Sequence, residues 1–522
     1  MGIAAMIYRR PSLLPLLFCL ALTAACGGGG DSGSGNGSGG GGGGGGPYHI
    51  GGTATGLAGS GLVLQINGGE TVSVATSGSF QFSTALASNA AYSVTVVTQP
   101  GSPTQYCSLA NAAGVVASAD ITSIAVTCNS GTARFAYLTS ATSATSNAIS
   151  GYSIDAASGV LTPIPGSPWT TSYFAIDLIT APSGKFVYFR NPVDETVSAY
   201  AVDTATGALS PVTGSPFAIP HPSAQSTRIQ IDPTGRFLYV LQLTFGSLDG
   251  RILTYRINPT TGALTAGSAS GFAITGVTLM AFDPSGRYAY LGGTDMAQNY
   301  SASSARIDNG TGELTAAGTA TQLTTTPASQ GFSTPSCFID EAGTKLMCAY
   351  TGMLYMLRVN LTSGALSEIA HLNSPGATQG LFRAADNLFV TNEIGNLHLY
   401  RADLAGSTLT ETSVLTLANE QPIWIALDAT QQHLLVALFN LTARSYSIDG
   451  PAGTASDAPG SPYALPNNGI HVATDHSGKY AFVSYYNGIT AFSIDQATGA
   501  LGSVNSAAAP LGAGFLVLAG TQ

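Results

Sequence analysis

The sequence predicts an all-β protein: a small β-sandwich followed by a β-propeller of four-stranded blades, closed by the C-terminal strand. Three observations carry this. Between Tyr48 and Ser130 strand phrases alternate with glycine turns, and no segment keeps a helical period for more than a turn. From Thr132 onward two phrases recur at a period of about 40–55 residues, the spacing of propeller blades. The first repeat unit lacks an inner strand, while the last strand phrase has no partner of its own.

The chain opens with a segment that is not part of either fold. Arg9 and Arg10 precede an apolar run, Leu13 to Leu22, which is too short to span a bilayer. Small residues lead to Cys26. This arrangement resembles a bacterial lipoprotein signal, with Thr23 standing where the usual box has Leu. The resemblance implies cleavage after residue 25 and a membrane attachment through lipid on Cys26. Residues 26–47 then form a tether: Gly27 to Gly46 has almost no side chain to bury and keeps its backbone entropy. No strand precedes these glycines and no Lys-Ser/Thr closes them, which excludes a phosphate loop. Gly27 replaces the Asp that commonly retains such proteins at the inner membrane, so the expected location is the outer membrane.

Composition agrees with export. Charged residues make up 8% of the chain, against an average of about 25%. The net charge is -10, with 17 Lys and Arg in 522 residues. No basic face of the kind nucleic acid needs can be built from these, so nucleic acid is excluded as a partner. Beyond the signal and Cys26, four cysteines remain, an even number suited to an oxidising compartment. The pairs expected are Cys107 with Cys128 and Cys337 with Cys348, each within one local unit. With no Cys-x-x-Cys and no histidine at zinc spacing, no metal is expected, and no cofactor motif occurs.

Residues 48–130 read as the sandwich. "GLVLQINGGETVSVATSGSFQF" (Gly61–Phe82) is strand, Asn-Gly-Gly turn, strand, Ser-Gly turn, strand. "AAYSVTVVTQP" (Ala90–Pro100) and "ITSIAVTC" (Ile121–Cys128) add alternating strands. The unit resembles the immunoglobulin-like spacers of bacterial surface lipoproteins.

Residues 131–522 read as the propeller. One phrase is "IQIDPTGRFLYV" (Ile229–Val240), "MAFDPSGRYAYL" (Met280–Leu291) and "VATDHSGKYAFV" (Val472–Val483). The other is "YSIDAASGVLTPIPGSP" (Tyr152–Pro168), "YAVDTATGALSPVTGSP" (Tyr200–Pro216) and "FSIDQATGALGSV" (Phe492–Val504). Asp and Gly at fixed offsets are turn chemistry, because Asp bonds nearby backbone and Gly accepts positive φ. Placing "GAGFLVLAG" (Gly512–Gly520) inside the unit that begins "ARFAYLTS" (Ala133–Ser140) closes the ring and removes its open edges. Eight blades are counted.

These phrases resemble the lactonase-type β-propeller family, which includes bacterial 6-phosphogluconolactonases and a fungal muconate cycloisomerase. Members usually have seven blades. The resemblance implies that catalytic groups would come from a histidine-bearing approach to a strand and a later acidic stretch. Here that segment is "IPHPSAQSTRIQIDPTGRFLYVLQLTFGSLDGRILTY" (Ile219–Tyr255). The candidate catalytic residues are therefore His221, Arg228, Asp249 and Arg251. Arg190, Arg383, Glu393 and His471 are further polar residues expected to point into the ring. A lactonase needs a base for water and a cation for the oxyanion, and His221 with Arg228 is the best such pair. The segment lacks the family's second histidine, and phosphorylated sugar lactones are cytosolic. The leading expectation is thus a monomeric, membrane-anchored lipoprotein whose propeller binds a small-molecule or protein ligand. The alternative is a lactonase-like hydrolase.

Overall fold

The computed structural model describes residues 47–522, apart from positions 68, 99, 101–104, 130–132, 144–145, 172–174, 221–224, 244–248, 269–271, 276, 284–285, 295–298, 324–335, 341–343, 351, 361, 374–380, 384–387, 394, 404–406, 418–419, 476, 511, 513 and 522. The signal, Cys26 and the glycine tether lie outside the described residues.

Two four-stranded sheets form a β-sandwich from Ile50 to Asn129. In one, Gly78–Gln81, Ile50–Thr55, Ile121–Asn129 and Tyr106–Ala110 are neighbours in that order. The other runs Thr71–Val74, Leu62–Ile66, Ala91–Thr98 and Ala113–Val115. Alternating residues of both, among them Leu62, Leu64, Val94, Ile124 and Val126, share one buried core. Cys107 pairs with Cys128 across adjacent strands and the two form a disulfide, with Cα atoms 3.9 Å apart.

Eight further sheets follow, each of four main strands. Their inner strands are, for blades 1 to 8, Leu516–Thr521, Ile176–Thr180, Gln225–Ile231, Val277–Phe282, Ser336–Ile339, Leu381–Arg383, Pro422–Leu427 and Gly469–Thr474. Leu516 pairs with Leu138 and Ala519 with Phe135, so the last strand completes the first blade. The inner strands touch in a closed circuit. Eight separate apolar cores lie between successive blades, the last of them joining blades 8 and 1 through Phe482, Ile489, Leu138 and Leu516. This is an eight-bladed propeller. Second strands such as Phe186–Asn191 and Phe237–Leu243 are buried along their whole length because a neighbour covers each face.

The repeated phrases are the joints of this ring. In the second phrase, Asp203 Oδ1 accepts from the backbone N–H groups of Ala205 and Thr206, which shapes the turn. Gly207 at the end of that turn has φ 76°, and a Cβ there would overlap the Phe135 ring of the preceding blade. Its carbonyl accepts the Tyr137 hydroxyl at 2.6 Å. The same tie recurs from Tyr188 to Gly262 and from Tyr239 to Gly312, both at 2.9 Å. The Gly-Ser-Pro at the end of the phrase splits the outer strand in two. Its serine Oγ accepts the third strand's N–H, as Ser215 does from Ala199 at 2.9 Å. In blade 5, Cys337 stands opposite Cys348, and the two form the second disulfide, with Cα atoms 4.1 Å apart.

Candidate functional site

In every blade the start of the inner strand lies at the same end as the hairpin that joins the second and third strands. Blade 2 shows the register: Ile176 pairs with Arg190, Asn191 with Thr196, and Thr196 with Ala218. Around the ring these ends form one rim. Four of its hairpins' apolar side chains, Val193, Phe439, Leu441 and Tyr486, are 50–70% exposed. Leu441 also holds a left-handed φ of 65°, a conformation that costs a leucine energy.

Just inside this rim the inner strands bulge. Trp424 and Ile423 together oppose Ala437 in blade 7, and His471 and Ile470 oppose Ser484 in blade 8. In blade 1 both Gly514 and Phe515 bond to Thr139. In blade 2 Asp177 and Leu178 oppose Phe189, and in blade 3 Thr227 and Arg228 oppose Leu241. A bulge re-aims side chains that the ladder would otherwise alternate. Five consecutive inner strands thereby bring Trp424, His471, Phe515, Asp177 and Arg228 to one level.

The aromatic part is tightly associated. The Trp424 and His471 rings stack with centroids 4.2 Å apart, and Phe515 meets them edge-on at 6.4 and 6.2 Å. Trp424 and Phe515 are partly accessible. The His471 Nδ1 atom is sealed and has no partner among the described residues. Burial pushes its pKa down to about 3, so the imidazole is neutral.

The polar part is centred on Asp177, which has a left-handed φ of 53°. Its carboxylate accepts from Arg190 Nε at 3.2 Å and from the Ile229 backbone N–H of the next blade. Burial pushes its pKa up, against the opposing pull of Arg190 and Arg228. Gln242, at the end of the neighbouring second strand, is 1% exposed. Neither of its amide atoms has a partner among the described residues. It shares a sheet face with Leu238 and Val240, which pack on blade 2, so it looks toward the level of Arg190.

The residues expected from sequence fall around this site. His221 lies outside the described residues. Arg228 is on the inner strand, beside Asp177. Asp249, described in its backbone only, opens the third strand opposite Thr275. Arg251 pairs with Gln242, whereas Arg228 pairs with Leu241, so the two arginines occupy adjacent rows of blade 3. Arg190 is buried on Asp177, and His471 joins the aromatic cluster. Arg383 pairs with Phe389 and Glu393 with Asn396, and their side chains lie outside the described residues. Sequence reasoning missed Asp177, Trp424, Phe515 and Gln242. A carboxylate inside the apolar run "AIDLIT" was the available signal for the first.

No family model and no curated protein matches the chain. Solved structures do. A Bacteroides fragilis protein assigned as a 6-phosphogluconolactonase is 18% identical with a TM-score of 0.46, over 74% of this chain and 98% of that one. The periplasmic gluconolactonase of Pseudomonas aeruginosa is 16% identical with a TM-score of 0.47, over 63% and 96%. The Swd1 β-propeller domain of Myceliophteria thermophila is 12% identical with a TM-score of 0.40, over 60% and 94%. At such identities the likeness is one of fold, and the reading of function rests on the chain's own residues.

Proposed function

We propose that this protein is an exported lipoprotein, held to the outer membrane through Cys26, whose propeller binds a ligand at the hairpin end of the ring. The immunoglobulin-like sandwich and the glycine tether act as its spacer. The observation that carries the binding role is the convergence of Trp424, His471, Phe515, Asp177 and Arg228 from five consecutive inner strands. Apolar rings beside a few fixed polar groups are the usual lining of a ligand site. Melting-temperature screening of a metabolite panel tests this. Hits should stabilise the wild type, and Trp424→Ala or Arg228→Gln should remove the shift. Hits that stabilise wild type and both variants equally would move the site elsewhere.

One observation favours the second reading, a lactonase-like hydrolase. Asp177 is a carboxylate whose proton affinity burial raises, and two guanidinium groups lie near it. Such a group accepts a proton from water, while a cation steadies the oxyanion of an opening ester. Release of acid from a panel of lactones, lost in Asp177→Asn, would support hydrolysis. Acid release at equal rates in wild type and Asp177→Asn would remove Asp177 from the chemistry.

A further inference from the structure

The lining of the hairpin end is sharply two-sided. Trp424, His471 and Phe515 supply three aromatic rings from blades 7, 8 and 1. The bulges of blades 2 and 3 supply Asp177 and Arg228, with Arg190 beside Asp177. The two sides are continuous. Phe515 packs against the core between blades 1 and 2, whose members include Leu178, the residue after Asp177. Asp177 in turn accepts from the N–H of Ile229, the residue after Arg228.

Charge decides what the polar side takes. Asp177 is already bound to Arg190, and Arg228 acts on the same carboxylate only through space. Arg228 is partly accessible and has no ion-pair partner among the described residues. The neutral imidazole of His471 adds no charge to the aromatic side. Gln242, sealed and without partners for its amide among the described residues, marks the same junction.

We propose that the hairpin end of the ring binds a small planar apolar acid, its ring against Trp424 and Phe515 and its carboxylate on Arg228. This rests on the binding role proposed above and names its ligand class. A flat apolar body matches stacked aromatic faces, and a carboxylate matches the planar fork of a guanidinium. A neutral aromatic would leave the cation unmatched, and an aliphatic acid would leave the rings uncovered.

The probes are benzoate, 2-naphthoate, 4-biphenylcarboxylate and the neutral 2-naphthalenemethanol, titrated by calorimetry into the full mature protein. The chain has two tryptophans, Trp169 and Trp424. Fluorescence of Trp169→Phe protein therefore reports the site alone. At least one acid should bind saturably and change Trp424 emission, with the alcohol about tenfold weaker or worse. Arg228→Gln should weaken the acid about tenfold and leave the alcohol unchanged, and Arg228→Lys should recover part of the loss. Unchanged melting temperatures confirm that each variant folds. No saturable binding of any acid, or binding that Arg228→Gln leaves intact, overturns the proposal. If octanoate, titrated as an aliphatic control, binds instead and responds to Arg228→Gln, the hairpin end keeps its binding role and the aromatic ligand class falls.

Discussion

Asp177 joins two blades through one carboxylate. It holds Arg190 of its own blade and the Ile229 N–H of the next. Asp177→Asn removes the carboxylate charge that pairs with the buried Arg190 guanidinium. A loss of about 3 kcal/mol in urea unfolding is expected, the range for breaking a buried pair. The double variant Asp177→Asn/Arg190→Met should recover part of it, since the buried guanidinium is removed together with the carboxylate charge. His471 makes a separate prediction. Its pKa is about 3 in the folded ring, against about 6.5 in the unfolded chain. The unfolded state therefore takes up the proton first as pH falls. His471 contributes stability above pH 6.5 that is lost as pH drops toward 3. Between pH 6.5 and 5 the wild type should lose up to about 2 kcal/mol more than His471→Phe. Equal slopes for the two proteins would show that the imidazole titrates normally.

At the scale of strands and turns, closure rests on Leu516–Thr521. This strand gives blade 1 its inner edge and covers the cores on both sides of it. Removing Gly512–Gln522 should abolish most soluble, protease-resistant protein, although trimming a frayed terminus is ordinarily harmless. Resistance equal to that of the parent would show that the ring holds without its clasp. The glycine of the second phrase makes a milder test. Gly207→Ala forces a Cβ into the Phe135 ring at a left-handed φ, and a loss of about 2 kcal/mol or more is expected from thermal melts. These joints were legible in the sequence because their chemistry is local: Asp203, Gly207 and Ser215 lie within thirteen positions of one another in a repeated phrase. The site was less legible. Asp177 reads as an ordinary strand residue until the bulge turns it, and the bulge depends on pairing with the second strand. The family-like segment led to Arg228, but the carboxylate beside Arg228 belongs to the preceding blade. Trp424 and Phe515 carry no local signal of a site, and only the circuit of inner strands sets them on either side of His471.

At the scale of the whole molecule, the ring has one end rimmed by exposed apolar hairpins from blades 2, 7 and 8. The expected result for Cys26→Ser is release from the membrane fraction, because multiple acyl chains supply an attachment that a single chain does not. A variant retained in membranes at the parent's level would remove the lipid anchor from the account. Mass mapping without reduction should recover Cys107 linked to Cys128 and Cys337 linked to Cys348.

The pairing of Leu516 with Leu138 has a further consequence in time. A ribosome makes the second strand of blade 1 before any other strand of the ring, and its inner partner after all of them. Until that partner emerges, blade 1 is incomplete and the cores it shares with blades 2 and 8 stay partly wet. All the other strands of the ring are thus made while it is still an open arc, and long-range pairing of this kind forms slowly. Whatever has ordered by then, the ring stays open until this strand docks, and in that interval proteases and chaperones meet an unclosed chain.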